Sequence, residues 1–227
     1  MAGGVKYSLT FVNNSSNTWD AAVYQKDPDL GVANVQSLAW FTKTAAPTTK
    51  VVFTWTIDYS FIWSETGQLV PGVLFNASQD WPADLSTTNQ VSFTKSPAYT
   101  FQNQAQGPAA GSLYISQDNT IPSKMASVGV GMSGAGVFAV QAQPNIQATF
   151  TPHPQYWITF GQFTQGEVLD IGQVTSHAAK IPYPFNVYSM TATLGPDNKW
   201  VVNSTSAVNA AFLAARESNK EAVWGLV

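Results

Sequence analysis

Between residues 51 and 63 the chain alternates almost without exception. Phe53, Trp55, Ile57, Tyr59, Phe61 and Trp63 hold odd positions, with Thr54, Thr56, Asp58 and Ser60 between them. Successive side chains of a β-strand point to opposite faces, so this pattern specifies a strand with one apolar face. Fully extended, such a run would reach roughly 40 Å, well beyond an ordinary strand. A bend or bulge near Asp58 is therefore expected.

Shorter stretches read the same way at 5–12, 19–25, 37–42, 90–94, 112–117, 126–132, 137–142, 156–163, 186–194 and 199–203. In 186–194, the residues Tyr188, Met190, Ala192 and Leu194 share one face. Turn chemistry punctuates these runs at Asn13-Asn14, Asp27-Pro28, Thr66-Gly67, Pro71-Gly72, Gly195-Pro196 and Asp197-Asn198. Many short strands separated by turns predict an all-β fold, an antiparallel β-sandwich or a barrel-like sheet. A single β-rich domain over 1–205 is the expected unit, and no fixed internal repeat is visible.

The tail, 206–227, is different. Ala207, Ala210, Ala211, Leu213, Ala214 and Ala215 are strong helix formers, and Ser204, Thr205 or Ser206 can supply an N-cap. A C-terminal α-helix is expected, with Ser218-Asn219 as the place where it would break. Phe212 and Val223 fall on one helical face, as do Leu213 and Trp224. These four are the expected assembly residues if the helix docks on another subunit; the plainer expectation is a helix that closes an open end of the sheet.

Charge is scarce. Only 10% of residues are charged, while the apolar fraction is an ordinary 44%, against about a quarter charged in a typical domain. Asn, Gln, Ser and Thr take the place of the missing charges. Between Ser96 and Gly166 only Asp118 and Lys124 are charged, whereas Arg216, Glu217, Lys220 and Glu221 crowd the tail. Fixed charges keep proteins apart, and 125–166 has none. Poorly guarded strand edges there would favour pairing with another chain, so a homo-oligomer or filament is expected.

Composition also excludes classes. An aromatic fraction of 13% and a net charge of −3 do not describe a disordered chain. No apolar run is long enough for a transmembrane helix. A sequence pI near 5.2 and a single arginine give no basis for nucleic-acid binding. Absence of cysteine removes disulfides and thiolate sites. Residues 1–7 carry no apolar signal core, so synthesis in the cytoplasm without a cleaved signal is expected and any export route is left open.

No constellation specifies catalysis, a cofactor or a metal. Gly129-Val130-Gly131-Met132-Ser133-Gly134 matches the dinucleotide pattern, but Val137-Phe138-Ala139-Val140 after it is strand-like, where pyrophosphate binding needs a helix. The glycines are better read as close-approach or hairpin positions. His153 and His177 lack metal-ligand spacing. Nothing selects a triad of Ser133, a histidine and Asp170. Paired carboxylates for glycoside hydrolysis are Asp58 with Glu65, or Glu167 with Asp170. If 167–170 is one strand, the latter two point to opposite faces; Asp58 is the best single candidate. Asp27-Pro28-Asp29 is calcium-like in composition but lacks the remaining ligands. Aromatic rings can pack a core or present stacking platforms. The row from Phe53 to Trp63 is read as core, while Trp19, Trp40, Trp81 and Trp157 near strand ends are the ligand-binding candidates, with glycans as the expected partner.

Several long segments resemble the RhiA family of rhizosphere-expressed bacterial proteins. They are 37–43 (SLAWFTK), 53–67 (FTWTIDYSFIWSETG), 129–145 (GVGMSGAGVFAVQAQPN), 150–161 (FTPHPQYWITFG) and 186–192 (NVYSMTA). The resemblance covers about residues 5–203, and the alanine-rich tail extends beyond it. It implies a protein produced under quorum-sensing control in plant-associated bacteria and associated with plant–microbe interaction. It transfers no catalytic residue. The expected function is therefore a non-enzymatic, self-associating all-β protein at the cell exterior, with a carbohydrate-binding module using aromatic platforms as the alternative. Membrane binding through exposed aromatics is weaker, because no cationic face accompanies them.

Overall fold

The computed structural model describes residues 5–26 and 34–224, with side chains through Arg216. The Asp27–Asp29 motif lies outside the described residues, as do the side chains of Val223 and Trp224. Strands follow in chain order. The first six are β1 (Lys6–Asn13), β2 (Trp19–Gln25), β3 (Gln36–Ser37), β4 (Phe41–Ala45), β5 (Lys50–Thr56) and β6 (Tyr59–Ser64). Next come β7 (Gln79–Ala83), β8 (Gln90–Lys95), β9 (Tyr99–Ala105), β10 (Leu113–Gln117), β11 (Ser127–Met132) and β12 (Ala135–Gln141). The last five are β13 (Ile146–Phe150), β14 (Tyr156–Gly161), β15 (Ala179–Ile181), β16 (Ser189–Leu194) and β17 (Trp200–Ser204). A one-turn helix, α1 (Ile171–Val174), precedes β15, and a long helix, α2 (Thr205–Trp224), follows β17 directly.

The strands form four sheets, ordered β17-β16-β1-β5, β15-β14-β2-β4, β3-β12-β11-β6-β7 and β13-β10-β8-β9. The result is a sandwich-like all-β fold with a C-terminal helix. Most pairs are antiparallel, but β1–β16 and β10–β8 are parallel. One large core cluster takes residues from all four sheets, among them Phe11, Val23, Trp55, Trp63, Phe93 and Phe150. Short strands in separate sheets can each bury one apolar face only against the others, so the sheets share a core.

The alternating segment breaks where a bend was expected. β5 ends at Thr56 and β6 starts at Tyr59, with Ile57 and Asp58 between them. β5 joins the first sheet and β6 the third. In β5 the alternation survives, with Phe53 and Trp55 buried and Val52 and Thr54 exposed. In β6 it does not: Phe61, Ile62, Trp63 and Ser64 are all buried. A second cluster of Leu38, Ile62, Phe75, Ala139 and Val168 covers the other face of this sheet.

The uncharged run 125–166 has a similar explanation. β11 is buried at all six positions and lies between β12 and β6; β14 lies between β15 and β2. Charge is missing there in part because β11 is buried throughout and β12 is buried from Val137 to Val140; of the strands in this segment β13 alone stands at a sheet edge. Some amides are interior too. Fully buried Asn13 donates to the carbonyls of Asn17 (2.8 Å) and Ala45 (3.0 Å) and accepts from the Ser15 amide and hydroxyl. Asn89 does the same for the carbonyls of Ala109 and Ser112 and the Gly107 amide. A buried amide can satisfy loop backbone without the desolvation cost of a charge.

The glycine-rich motif forms the β11–β12 hairpin. Ser133 and Gly134 connect paired Met132 and Ala135 with φ of 54° and 74°, the left-handed pair that a two-residue hairpin turn requires. A Cβ on Gly129 would stand 2.1 Å from the Phe138 carbonyl oxygen. These are the close approach and tight hairpin expected, with no nucleotide-binding helix following.

Helix α2 runs unbroken through Ser218-Asn219. Ser204 caps it, its Oγ accepting from the Ala207 amide at 3.3 Å. Asn209 through Arg216 are all exposed, including Phe212 at 62% and Leu213 at 57%. Over this stretch the helix does not lie on the sheet; it projects from it, contrary to the sheet-closing expectation.

Candidate functional site

The four tryptophans singled out from the sequence meet different fates. Trp40 is fully buried, its Nε1 donating to the Met132 carbonyl at 2.8 Å and its ring packed against Trp55 and Tyr156. It is core, not a platform, because its neighbours in space close over it from three sheets. Trp81 is half-buried, with its ring 5.9 Å from Phe101. Trp157 is also half-buried, stacked on Tyr24 with the Lys26 ammonium 5.7 Å from its centroid. Trp19 is exposed at 41% and lines a cleft of about 510 Å³.

That cleft is built by segments distant in sequence. Trp19 opens β2, and Thr159 and Phe160 end the neighbouring β14, where Phe160 pairs with Ala21. The chain then turns and is laced between two others. The Gly166 amide donates to the Ala39 carbonyl (2.8 Å), and the Val168 and Leu169 amides donate to the carbonyls of Val73 (2.8 Å) and Ser37 (2.9 Å). These bonds fix Glu167 and Asp170 on the cleft wall. Asp170 then caps α1, its Oδ1 accepting from the Gln173 amide at 3.2 Å. After α1 the His177 carbonyl accepts from Trp200 Nε1 at 3.0 Å, which sets the indole at the start of β17.

The aromatic lining is pre-arranged from below. Trp19 and Phe160 lie 5.8 Å apart between centroids. Phe160 lies 5.2 Å from Phe11, and Phe11 lies 5.6 Å from Trp200. Phe11 is fully buried in β1. One core ring thus positions two rings of the cleft, so little side-chain entropy remains to be lost when a ligand stacks on them.

The polar lining is acidic and amide-rich. Glu167 and Asp170 are joined by Asn17, Gln173, His177 and Asn198, and among the described residues no lysine or arginine lines the cleft. Glu167 Oε2 accepts from the Thr164 amide at 2.9 Å, as Asp170 Oδ1 does from Gln173. Each carboxylate is therefore held through one oxygen by a backbone amide. The expectation that Glu167 and Asp170 face apart is corrected: 169–170 is not strand, and both line the same cleft. Sequence reading missed Phe160 and Trp200 here, although the latter begins a strand much as Trp19 does.

The other chemical candidates serve the fold. Asp58 sits at the corner between β5 and β6, its Oδ1 accepting from the Thr56 hydroxyl (3.0 Å) and the Ser133 amide (3.1 Å). Ser133 Oγ in turn accepts from the Thr56 amide at 3.2 Å. The pair ties the β11–β12 turn to the corner. Glu65 follows the far end of β6, roughly 20 Å along the strand from Asp58, so those carboxylates do not share a site. Among the described residues no group of three His, Asp or Glu side chains could hold a metal ion, and no helix is long and apolar enough to cross a membrane.

Comparison with known proteins places the chain. The family model RhiA matches residues 4–205, ending at the first residue of α2. Protein RhiA of Rhizobium leguminosarum bv. viciae is 40% identical over 206 residues, covering 89% of this chain and 88% of that protein. No solved structure matches. A match over nearly the whole β body, joined to this level of identity, leaves one assignment: the chain belongs to the RhiA family.

Proposed function

We propose that this protein is a non-catalytic binding protein that takes a saccharide into the aromatic cleft and works at the outside of a plant-associated bacterium, in plant–microbe interaction. The observation that carries this reading is the row of Trp19, Phe160 and Trp200 rings beside fixed carboxylates and amides. Sugar rings present apolar C–H faces to aromatic planes and hydroxyls to carboxylates and amides, and this lining supplies both. The setting outside the cell rests on the family resemblance alone. The test is a glycan array, followed by calorimetry with the wild type and the Trp19→Ala and Trp200→Phe variants. Binding lost in the variants with the fold intact supports the reading. No glycan signal would sink it, and release of new reducing ends would overturn its non-catalytic part.

A second reading, self-association into an oligomer or filament, is favoured by α2. Its exposed Phe212 and Leu213 stand among alanines on the stretch 209–216, which is exposed throughout. Sedimentation velocity at tens of micromolar tests it, a clean monomer being the outcome against it.

A further inference from the structure

We infer that the saccharide preferred by the cleft carries an ammonium group: an amino sugar rather than a neutral or uronic one. This rests on the saccharide reading above and names the ligand class for that site.

The inference comes from the charge of the lining set against its rings. Glu167 and Asp170 bring two carboxylates to one cleft of about 510 Å³. Among the described residues the lining holds no lysine or arginine to neutralise them; its remaining titratable side chain is His177. Lys199 lies in sequence between the lining residues Asn198 and Trp200, but its ammonium is 3.1 Å from Asp197 Oδ2. Elsewhere the molecule pairs its cations with rings: Lys26 with Trp157, Lys43 with Phe53, Lys95 with Tyr99. The cleft has the rings and the carboxylates and lacks the cation.

Both features act in the same direction. An ammonium is attracted to the face of an indole, more strongly as water is excluded. A carboxylate accepts its hydrogen bonds as a charge-assisted pair. Because Glu167 and Asp170 are each fixed through one oxygen by a backbone amide, their carboxylates need little reordering to meet it. A uronic acid would bring a third carboxylate beside these two, and like charges at such range repel. N-acetylation removes the charge and leaves the ring stacking, so an acetylated ligand keeps part of the affinity.

The experiment is calorimetry with the full chain, at a pH where the amine is protonated. The probes are a β-1,4-glucosamine hexamer, its fully N-acetylated counterpart, a cellohexaose, an oligogalacturonate and free choline. The expected result is tightest binding of the glucosamine hexamer, with the acetylated and neutral hexamers weaker by roughly tenfold or more and the oligogalacturonate weakest. Glu167→Gln and Asp170→Asn keep the oxygen that accepts the backbone amide and so preserve the loop; thermal melts check this. Both variants are expected to reduce the glucosamine preference toward parity while leaving the acetylated hexamer bound as before. Equal binding of the free and acetylated hexamers, or tight binding of oligogalacturonate, would overturn the amino-sugar inference and leave the saccharide reading standing. Choline matching the glucosamine hexamer would retain ammonium recognition and sink the saccharide reading. No binding by any probe would end both.

Discussion

Trp19 and Trp40 show how little a residue's type decides its role. Both are tryptophans near strand ends, yet one stands exposed at a cleft and the other has no exposure. Substituting Trp40 by Ala removes an indole packed between Trp55 and Tyr156 and leaves the Met132 carbonyl without its donor. The expected cost is about 3–5 kcal/mol, read by urea denaturation. Trp19→Ala is expected to cost less than Trp40→Ala, because 41% of the Trp19 residue is already exposed. Buried phenols give a second prediction. Burial pushes the Tyr24 hydroxyl up to about 12 from the ordinary 10.0. Burial raises Tyr156 and Tyr183 as well. Above pH 10 these groups ionise in the unfolded chain and stay protonated in the folded one. The folded state then binds more protons, and stability falls as pH rises. Stability is therefore expected to be intact below pH 10 and to drop between 10 and 12, which a series of thermal melts checks.

At the scale of elements, the β11–β12 hairpin separates two reasons for glycine. At Gly134 an added Cβ would meet open space, but φ is +74°, so Gly134→Ala is expected to cost about 1–2 kcal/mol of backbone strain. At Gly129 the backbone is ordinary, but the Cβ would run into the Phe138 carbonyl oxygen at 2.1 Å. That clash is with main chain of a paired strand and cannot be relieved by a rotamer. Gly129→Ala is therefore expected to be the worse of the two, at the upper end of the overpacking range of about 1–3 kcal/mol or beyond. Equal midpoints in urea would contradict this ordering.

For the whole molecule, the core and the tail divide the work of folding unequally. The shared core draws on all four sheets, whereas α2 leaves 209–216 exposed. Deleting the chain after Ser204 is expected to leave the β body folded, with a melting temperature within a few degrees of wild type. Sedimentation of the same truncation shows whether α2 also carries any self-association: if oligomers persist without it, they form through a sheet edge such as β13 instead.

The sequence by itself determined the local facts. It set the β character of 51–63 through its alternation, the break at Asp58 through the length of the run, the strands on either side of the glycine-rich motif and the helix of the alanine-rich tail. These depend on periods of 2 and 3.6 and on backbone φ, all short-range properties. The strands β7 and β9 were not legible, because Trp81-Pro82 and Gln102–Gln104 carry little apolar alternation and are held by their neighbours' hydrogen bonds; β15 is only three residues long, and β13 was missed although Ile146, Ala148 and Phe150 alternate with Gln147 and Thr149. The parallel pairing of β1 with β16, the burial of Trp40 and the meeting of Trp19, Glu167, Asp170 and Trp200 were decided only in three dimensions. They join residues up to about 180 positions apart (Trp19 and Trp200 among them), and no local period encodes which distant strand a side chain will face. The low charge, too, changed meaning there: much of it reflects interior strands, and part of the amide excess is buried hydrogen bonding. Packing four sheets on one core selects those neighbours, because only that arrangement buries the apolar faces the sequence prepared.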